Sequence, residues 1–258
     1  MLNPRIIPCL LIKNNGLVKT TQFNYPKYVG DPLNAVKIFN DKEADELIVL
    51  DIDATKEKRE PNYELIENLA SECRMPLCYG GGINKLSQAL RIFSLGVEKI
   101  AISTAALNNI SIVSEIASCV GSQSVVVVLD VKKKIFSNKY EVYFQNGTKS
   151  FGIDAVEYAV KLELEGAGEL IINSIEHDGT MKGYDLNLIR LIREAVNIPI
   201  TILGGASSFE EFSRVINEFG VIGLAAGSIF VFKGRFRAVL ISYPTPNEKL
   251  NLLEKYIK

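Results

Sequence analysis

Eight short runs rich in β-branched and aliphatic residues recur along the chain: Arg5 to Leu11, Leu47 to Asp51, Leu77 to Tyr79, Lys99 to Ile102, Val125 to Asp130, Leu170 to Asn173, Ile200 to Leu203 and Gly223 to Ala226. After them come segments with apolar residues at three-to-four spacing: Pro32 to Lys42, Tyr63 to Cys73, Leu86 to Leu95, Ile110 to Ser118, Ala155 to Leu164, Leu186 to Ala195, Phe209 to Phe219 and Asn247 to Ile257. Alternation of this kind predicts parallel strands joined by helical crossovers. Eight such units predict an α/β fold, a single (β/α)8 TIM barrel over residues 1–258. The joints agree, since Asp31-Pro32 puts an N-cap acceptor before a proline whose missing N–H costs nothing at the first helical position.

The chain also repeats itself. Ala44-Asp45-Glu46-Leu47-Ile48 is answered by Ala167-Gly168-Glu169-Leu170-Ile171, Pro76-Leu77-Cys78-Tyr79-Gly80-Gly81 by Ile200-Thr201-Ile202-Leu203-Gly204-Gly205, and Ser103-Thr104 by Gly227-Ser228, all at an offset of about 124 residues. A two-fold repeat of half-barrels, about 1–122 and 123–245, accounts for it and predicts two equivalent sites on opposite sides of the barrel mouth. Two insertions break the rhythm. Asn14 to Gly30 holds Gly16, Pro26 and Gly30 with few core-type residues and reads as a mobile lid; Lys139 to Lys149 reads as a hairpin. Loops after barrel strands belong to the catalytic face.

Composition narrows the function classes. With 47% apolar residues, 23% charged and a net charge of -1, the chain is ordinary globular material with no basic excess for nucleic acid. No apolar run approaches the roughly 20 residues of a bilayer span, and Met1 to Lys13 lacks an apolar signal region, so the expectation is a cytoplasmic protein with no membrane partner. Cys9, Cys73, Cys78 and Cys119 form no CxxC pair and read as buried thiols. His177 is the one histidine, so neither a metal site nor a cofactor is expected.

Gly80-Gly81-Gly82 ends the third strand run, and Ser103-Thr104 the fourth. Gly204-Gly205 and Gly227-Ser228 do the same for the seventh and eighth, the usual place for a barrel phosphate. A lone glycine cluster is a tight turn, but two copies in matching positions point to phosphate binding, with backbone N–H groups and hydroxyls as donors. A ligand with two separated phosphates would fit such a mouth. Asp130 closes the run Val125 to Asp130, where a carboxylate is costly unless used or paired, and is the candidate acid, base or acceptor. Asp51, Asp178 and Lys19 are further candidates. The alternatives are that Asp51 caps a turn, that Asp178-Gly179-Thr180 is itself a turn and that Lys19 is solvated loop charge. At the opposite ends of the strands Arg5, Glu46, Lys99 and Glu169 form either a ring of alternating charge or four separate surface charges.

Arg5-Ile6-Ile7-Pro8-Cys9-Leu10, Gly30-Asp31-Pro32, Ala44-Asp45-Glu46-Leu47, Leu50-Asp51-Ile52, Gly80-Gly81-Gly82-Ile83, Asp178-Gly179-Thr180 and Gly183-Tyr184-Asp185 together resemble the cyclase subunit of imidazole glycerol phosphate synthase, from Arg5 to about Phe232. The resemblance implies a barrel that takes ammonia from a class I glutaminase on its N-terminal face and cyclises a phosphorylated small molecule. By the same resemblance Arg5, Glu46, Lys99 and Glu169 correspond to the gate of an ammonia channel. Three departures stand out. The family's first strand ends in an aspartate, the partner of Asp130 in acid–base catalysis, where this chain has Leu11; an asparagine is replaced by Ser103, and a threonine near the end of the sixth strand by Asn173.

Leu11, Lys27-Tyr28-Val29-Gly30-Asp31-Pro32, Cys78-Tyr79-Gly80-Gly81-Gly82 and Phe230-Val231-Phe232-Lys233-Gly234 resemble a divergent branch associated with turning acetamido groups of surface-polysaccharide sugars into acetamidino groups. The resemblance ranks that role first, the histidine-pathway cyclase second and a noncatalytic ammonia conduit third.

Overall fold

A computed structural model describes residues 3–135 and 137–257, with side chains described through Leu252. Eight parallel strands close a barrel: Arg5–Lys13, Leu47–Asp51, Leu77–Gly80, Lys99–Ile102, Val125–Lys133, Glu169–Ser174, Ile200–Leu203 and Gly223–Ala226. They are numbered here first to eighth. Each pairs with the next in sequence, and the eighth returns to the first through Arg5↔Gly223 to Pro8↔Ala226, so no barrel edge is left open. The fold is the (β/α)8 barrel that the alternation predicts.

Two hydrophobic layers result from strands buried on both faces. Inward-facing Ile7, Cys9, Ile48, Cys78, Ala101, Val126, Val128, Ile171, Leu203 and Ala225 fill the bore. Outward-facing residues such as Ile6, Val49, Leu129 and Ile172 pack under the helices. The helix Leu186–Ala195 shows why the ring of helices docks. Leu188, Ile189 and Ile192 make one apolar stripe, and its N-cap Asp185 accepts from Leu188 N at 3.1 Å. The Asp31-Pro32 joint behaves as expected, Asp31 accepting from Asn34 N at 2.9 Å. The thiols do not all behave as expected: Cys9 and Cys78 are buried in the bore, but Cys119, on the outer face of the helix Ser111–Val120, is exposed.

The segment Asn14 to Gly30 is not a loop. It is an antiparallel hairpin, Gly16–Thr21 and Asn24–Gly30, zipped onto the end of the first strand by Leu11↔Val18, Ile12↔Leu17 and Lys13↔Gly16. The turn that starts it is Asn14-Asn15, both with positive φ (48° and 61°), the conformation of a two-residue hairpin turn that asparagine tolerates. The second insertion is a hairpin as expected, Tyr140–Phe144 and Lys149–Asp154, paired to the extended fifth strand. The two tips meet, since a Cβ at Gly147 would lie 2.9 Å from the Phe23 ring, and the second tip also reaches the loop after the second strand, where Asn146 Nδ2 donates to Ile52 O at 3.2 Å. Among the described residues no helix is long and apolar enough to cross a membrane.

Candidate active site at the barrel mouth

The C-terminal ends of the strands surround a cavity of about 910 Å³, roomy enough for a nucleotide-sized ligand. Strand alternation aims Leu11, Leu50, Asp130, Asn173 and Leu203 inward, and all five line it. Asp130 sits half-buried among Val128 and the leucines; burial pushes its carboxyl up to about 7, aided by the nearby Asp178 charge and opposed by the hydrogen bond from Asn173. A carboxyl tuned there can both give and take a proton near neutrality. Asn173 Nδ2 donates to Asp130 Oδ1 at 2.9 Å, while Asn173 Oδ1 is buried without a partner.

Lys19 is not in a loop. It lies in the hairpin strand Gly16–Thr21, only 6% exposed, with Nζ bonded to Asp178 Oδ1 at 2.8 Å and Thr20 O at 3.0 Å. Asp178 also accepts from Thr20 Oγ1 at 3.1 Å, so its carboxylate fastens the hairpin to the mouth. A buried ion pair of this kind holds geometry well, because removing one partner strands the other charge. Asp51 caps the turn after the second strand, accepting from Asp53 N and Ala54 N at 3.1 and 3.0 Å, and meets Arg59 at 3.5 Å. Of the alternatives open for Asp51 and Lys19, the capping one describes Asp51, and solvated loop charge does not describe Lys19.

Both glycine groups line the cavity, and both need glycine for backbone reasons. Gly81 has φ +126° and a Cβ there would lie 2.6 Å from Asp51 O; Gly205 has φ +107° and a Cβ would lie 2.1 Å from Gly183 O. The two sides are not equivalent. On the first, Gly82 N–H is already taken by Thr55 Oγ1 at 3.3 Å, and Ser103 and Thr104 are half-buried beside it. On the second, Gly204 adjoins Asn173, Gly227 packs against the Lys19 stem, and Ser228 Oγ accepts from Arg237 Nη2 at 3.2 Å. The expectation of equivalence fails because the loop Ile52 to Arg59 covers Gly82, whereas nothing at the sequence level marks that contact. Arg237 also escapes sequence reading; the one hint is Gly234, which permits the turn bringing it back.

At the other end of the bore Arg5, Glu46, Lys99 and Glu169 close a ring. Arg5 pairs with Glu46 and with Glu169 (2.7 Å), and Lys99 bridges the same two carboxylates at 2.9 Å each. Both carboxylates are buried, so these are not separate surface charges. Burial opposes the charges on Arg5 and Lys99, yet the two glutamates outweigh it and hold both cations above their usual ranges; Glu169 is held below its own, burial being outweighed by Arg5 and Lys99.

Comparison with known proteins gives one family and close relatives. The family profile described as "Histidine biosynthesis protein" matches residues 5–237. A Leptospira borgpetersenii protein provisionally named imidazole glycerol phosphate synthase subunit HisF is 58% identical over 96% of this chain and 98% of its own length. A Vibrio vulnificus (strain YJ016) protein provisionally named as subunit hisF3 is 52% identical over 98% of both chains. The imidazole glycerol phosphate synthase subunit HisF of Petrotoga mobilis (strain DSM 10674 / SJ95) is 40% identical over 89% of this chain and 91% of its own.

Proposed function

Since the chain belongs to the histidine biosynthesis protein family and is a homologue of the HisF cyclase subunits of imidazole glycerol phosphate synthase, we propose that it is the ammonia-using subunit of a cytoplasmic two-protein synthase, fed by a class I glutaminase on the N-terminal barrel face. The observation that carries this reading is the ring of Arg5, Glu46, Lys99 and Glu169 at one end of an apolar bore with Asp130 at the other. A bore lined by Ile7, Ile48, Val126 and Ile171 suits neutral ammonia and rejects ammonium, whose desolvation those side chains cannot repay. We read residues 1–258 as one barrel domain built from two half-barrel copies.

In this reading Asp130 moves protons for the attacking nitrogen, and Asn173 holds its carboxylate in place. Gly81, Gly82, Ser103 and Thr104 on one side, with Gly204, Gly205, Gly227 and Ser228 on the other, cradle a phosphorylated ligand. Lys19, Asp51 and Asp178 fix the surrounding loops. No metal or cofactor enters the scheme.

Two substrates compete. The names of the relatives favour ring closure in histidine synthesis. Leu11 favours the other, amidination of an acetamido sugar for surface polysaccharide: it faces the cavity beside Leu50, leaving Asp130 without a second carboxylate to share acid and base work, and an apolar wall suits an acetyl methyl. The more similar relatives bear provisional names, one of them numbered hisF3, as befits a paralogue set apart from the histidine enzyme. The test is reconstitution with a class I glutaminase, then glutamine- and ammonium-driven assays on the histidine-pathway intermediate and on an acetamido nucleotide-sugar. Ordinary cyclase rates on the first would settle for histidine synthesis; turnover of neither, with either nitrogen source, would remove the synthase reading.

A further inference from the structure

We propose that Tyr243 and Lys249 are positioning residues for the charged ring: acting through Asp45, they hold Glu46 where it can bridge Arg5 and Lys99. The inference takes from the gate reading only what the ring is for; the placement of Glu46 is tested without it.

Three of the four ring residues are placed by the sheet. Arg5 pairs with Gly223 of the eighth strand, Lys99 with Cys78 of the third and Glu169 with Val126 of the fifth. Glu169 is fixed further through its neighbour, since Gly168 N donates to Val125 O at 3.0 Å and a Cβ at Gly168 would lie 1.9 Å from Ser122 O. Glu46 has no such support. It precedes the second strand, which begins at Leu47, and the first and second strands pair only from Cys9↔Ile48 onward, so the ladder leaves the Arg5 and Glu46 ends of these strands open to each other.

A latch from the end of the chain spans that gap. Asp45 Oδ2 accepts from Ile6 N at 2.8 Å, and the Tyr243 hydroxyl accepts from Asp45 N at 3.1 Å while donating to Ile6 O at 2.8 Å. Ile6 and Asp45 are the chain neighbours of Arg5 and Glu46, so these bonds fix the edge of the ring that the ladder leaves open. Lys249, in the helix Pro246–Ile257, donates to Asp45 Oδ1 and to Glu43 O, both at 2.8 Å, and so holds the Asp45 carboxylate from its other oxygen. Tyr243 is 5% exposed and packs against Phe39 and Phe230, whose ring centroids lie 6.3 and 5.5 Å from its own, so its hydroxyl has little freedom to turn elsewhere. In the other half of the repeat the residue answering Asp45 is Gly168, which has no side chain to latch. Tyr243 and Lys249 both lie beyond residues 5–237, the stretch that the family profile matches, so the clamp on Glu46 comes from outside the profile-matched barrel.

Nitrogen-15 NMR of the full chain, without glutaminase or substrate, tests this by the water exchange of the Arg5 guanidinium protons at low temperature, where the two Nη groups give separate signals. Tyr243→Phe keeps the ring packing and removes only the hydroxyl. Exchange at Arg5 Nη1, the nitrogen that meets Glu46, should speed up about fivefold, the worth of one ordinary hydrogen bond, while Nη2, held by Glu169, should stay within about twofold. Lys249→Met should act in the same direction, and Lys249→Arg should restore the wild-type rate. Unchanged exchange at Nη1 in Tyr243→Phe would overturn the inference, and so would equal acceleration at Nη1 and Nη2, which is a loosened fold rather than a freed Glu46. Should Tyr243→Phe fail to fold, Lys249→Met is read against Lys249→Arg by the same signals, and no difference between them would overturn it. Failure of the gate reading shows elsewhere, as glutamine coupling left intact by Lys99→Ala whatever the exchange rates.

Discussion

Asn173 donates to the Asp130 carboxylate over 2.9 Å, and its own carbonyl oxygen is buried with no partner. The donor stabilises the charged form of Asp130 against the burial that raises its pKa to about 7. Asn173→Ala should therefore move the Asp130 titration upward, read directly by carbon NMR of labelled aspartate. A downward shift would show that the amide serves some other group.

Asp130→Asn should cost about two orders of magnitude or more in ammonium-driven turnover, the usual contribution of one positioned acid or base. Its effect on stability has the opposite sign. Because the folded pKa of Asp130 lies above the ordinary 3.8, the native state binds that proton more tightly than the unfolded chain, and stability falls as pH rises from about 4 to about 7. The amide avoids this loss. At pH 8 the variant should be the more stable protein, by on the order of 1–2 kcal/mol after allowance for the open cavity, and the gain should vanish near pH 4. Denaturant melts at the two pH values decide it.

Lys99→Ala removes one of the two cations bridging Glu46 and Glu169. Ammonium-driven turnover should stay within about twofold, since the ring lies at the far end of the bore from Asp130. Glutamine-driven turnover should lose its fixed ratio to glutamate release. Equal damage to both rates would place Lys99 in the chemistry or in the fold and would count against the proposed gate.

Leu11→Asp would place a second inward carboxylate on the first strand, across the bore from Asp130. The variant should gain ammonia-dependent cyclase activity on the histidine-pathway intermediate, limited by Ser103 and Asn173, and the two carboxyls should titrate as a coupled pair. A wild-type rate already equal to that of an ordinary cyclase would show that Leu11 is no handicap and that histidine synthesis is the function.

Gly205→Ala should destabilise the fold by about 2 kcal/mol or more, because the new Cβ would sit 2.1 Å from Gly183 O at a residue with φ +107°. The thermal midpoint would report it. Side-chain changes at Ser228 or Thr104 therefore probe ligand contacts more cleanly than changes at the glycines.

The barrel and its ring were legible in sequence because both follow from local pattern. Alternating runs fix which strand ends face inward, and Glu46 and Glu169 stand one residue before matching apolar runs. Asp130 was legible for the same reason, a carboxylate ending six apolar residues. The hairpin Gly16 to Gly30 was misread because its glycines and proline resembled loop composition; Asn14-Asn15 carried the turn signal. Arg237 and Thr55 act through contacts far from their neighbours in sequence, 9 residues in the case of Arg237 to Ser228 and 27 for Thr55 to Gly82. No spacing rule encodes such contacts.

The two hairpins rise from the first and fifth strands, which stand opposite each other in the ring, and touch at Phe23 and Gly147. Together they make an archway over the mouth, spanning it across the line that joins the two glycine sites. A ligand reaching from one glycine site to the other would lie beneath that arch, crosswise to its span.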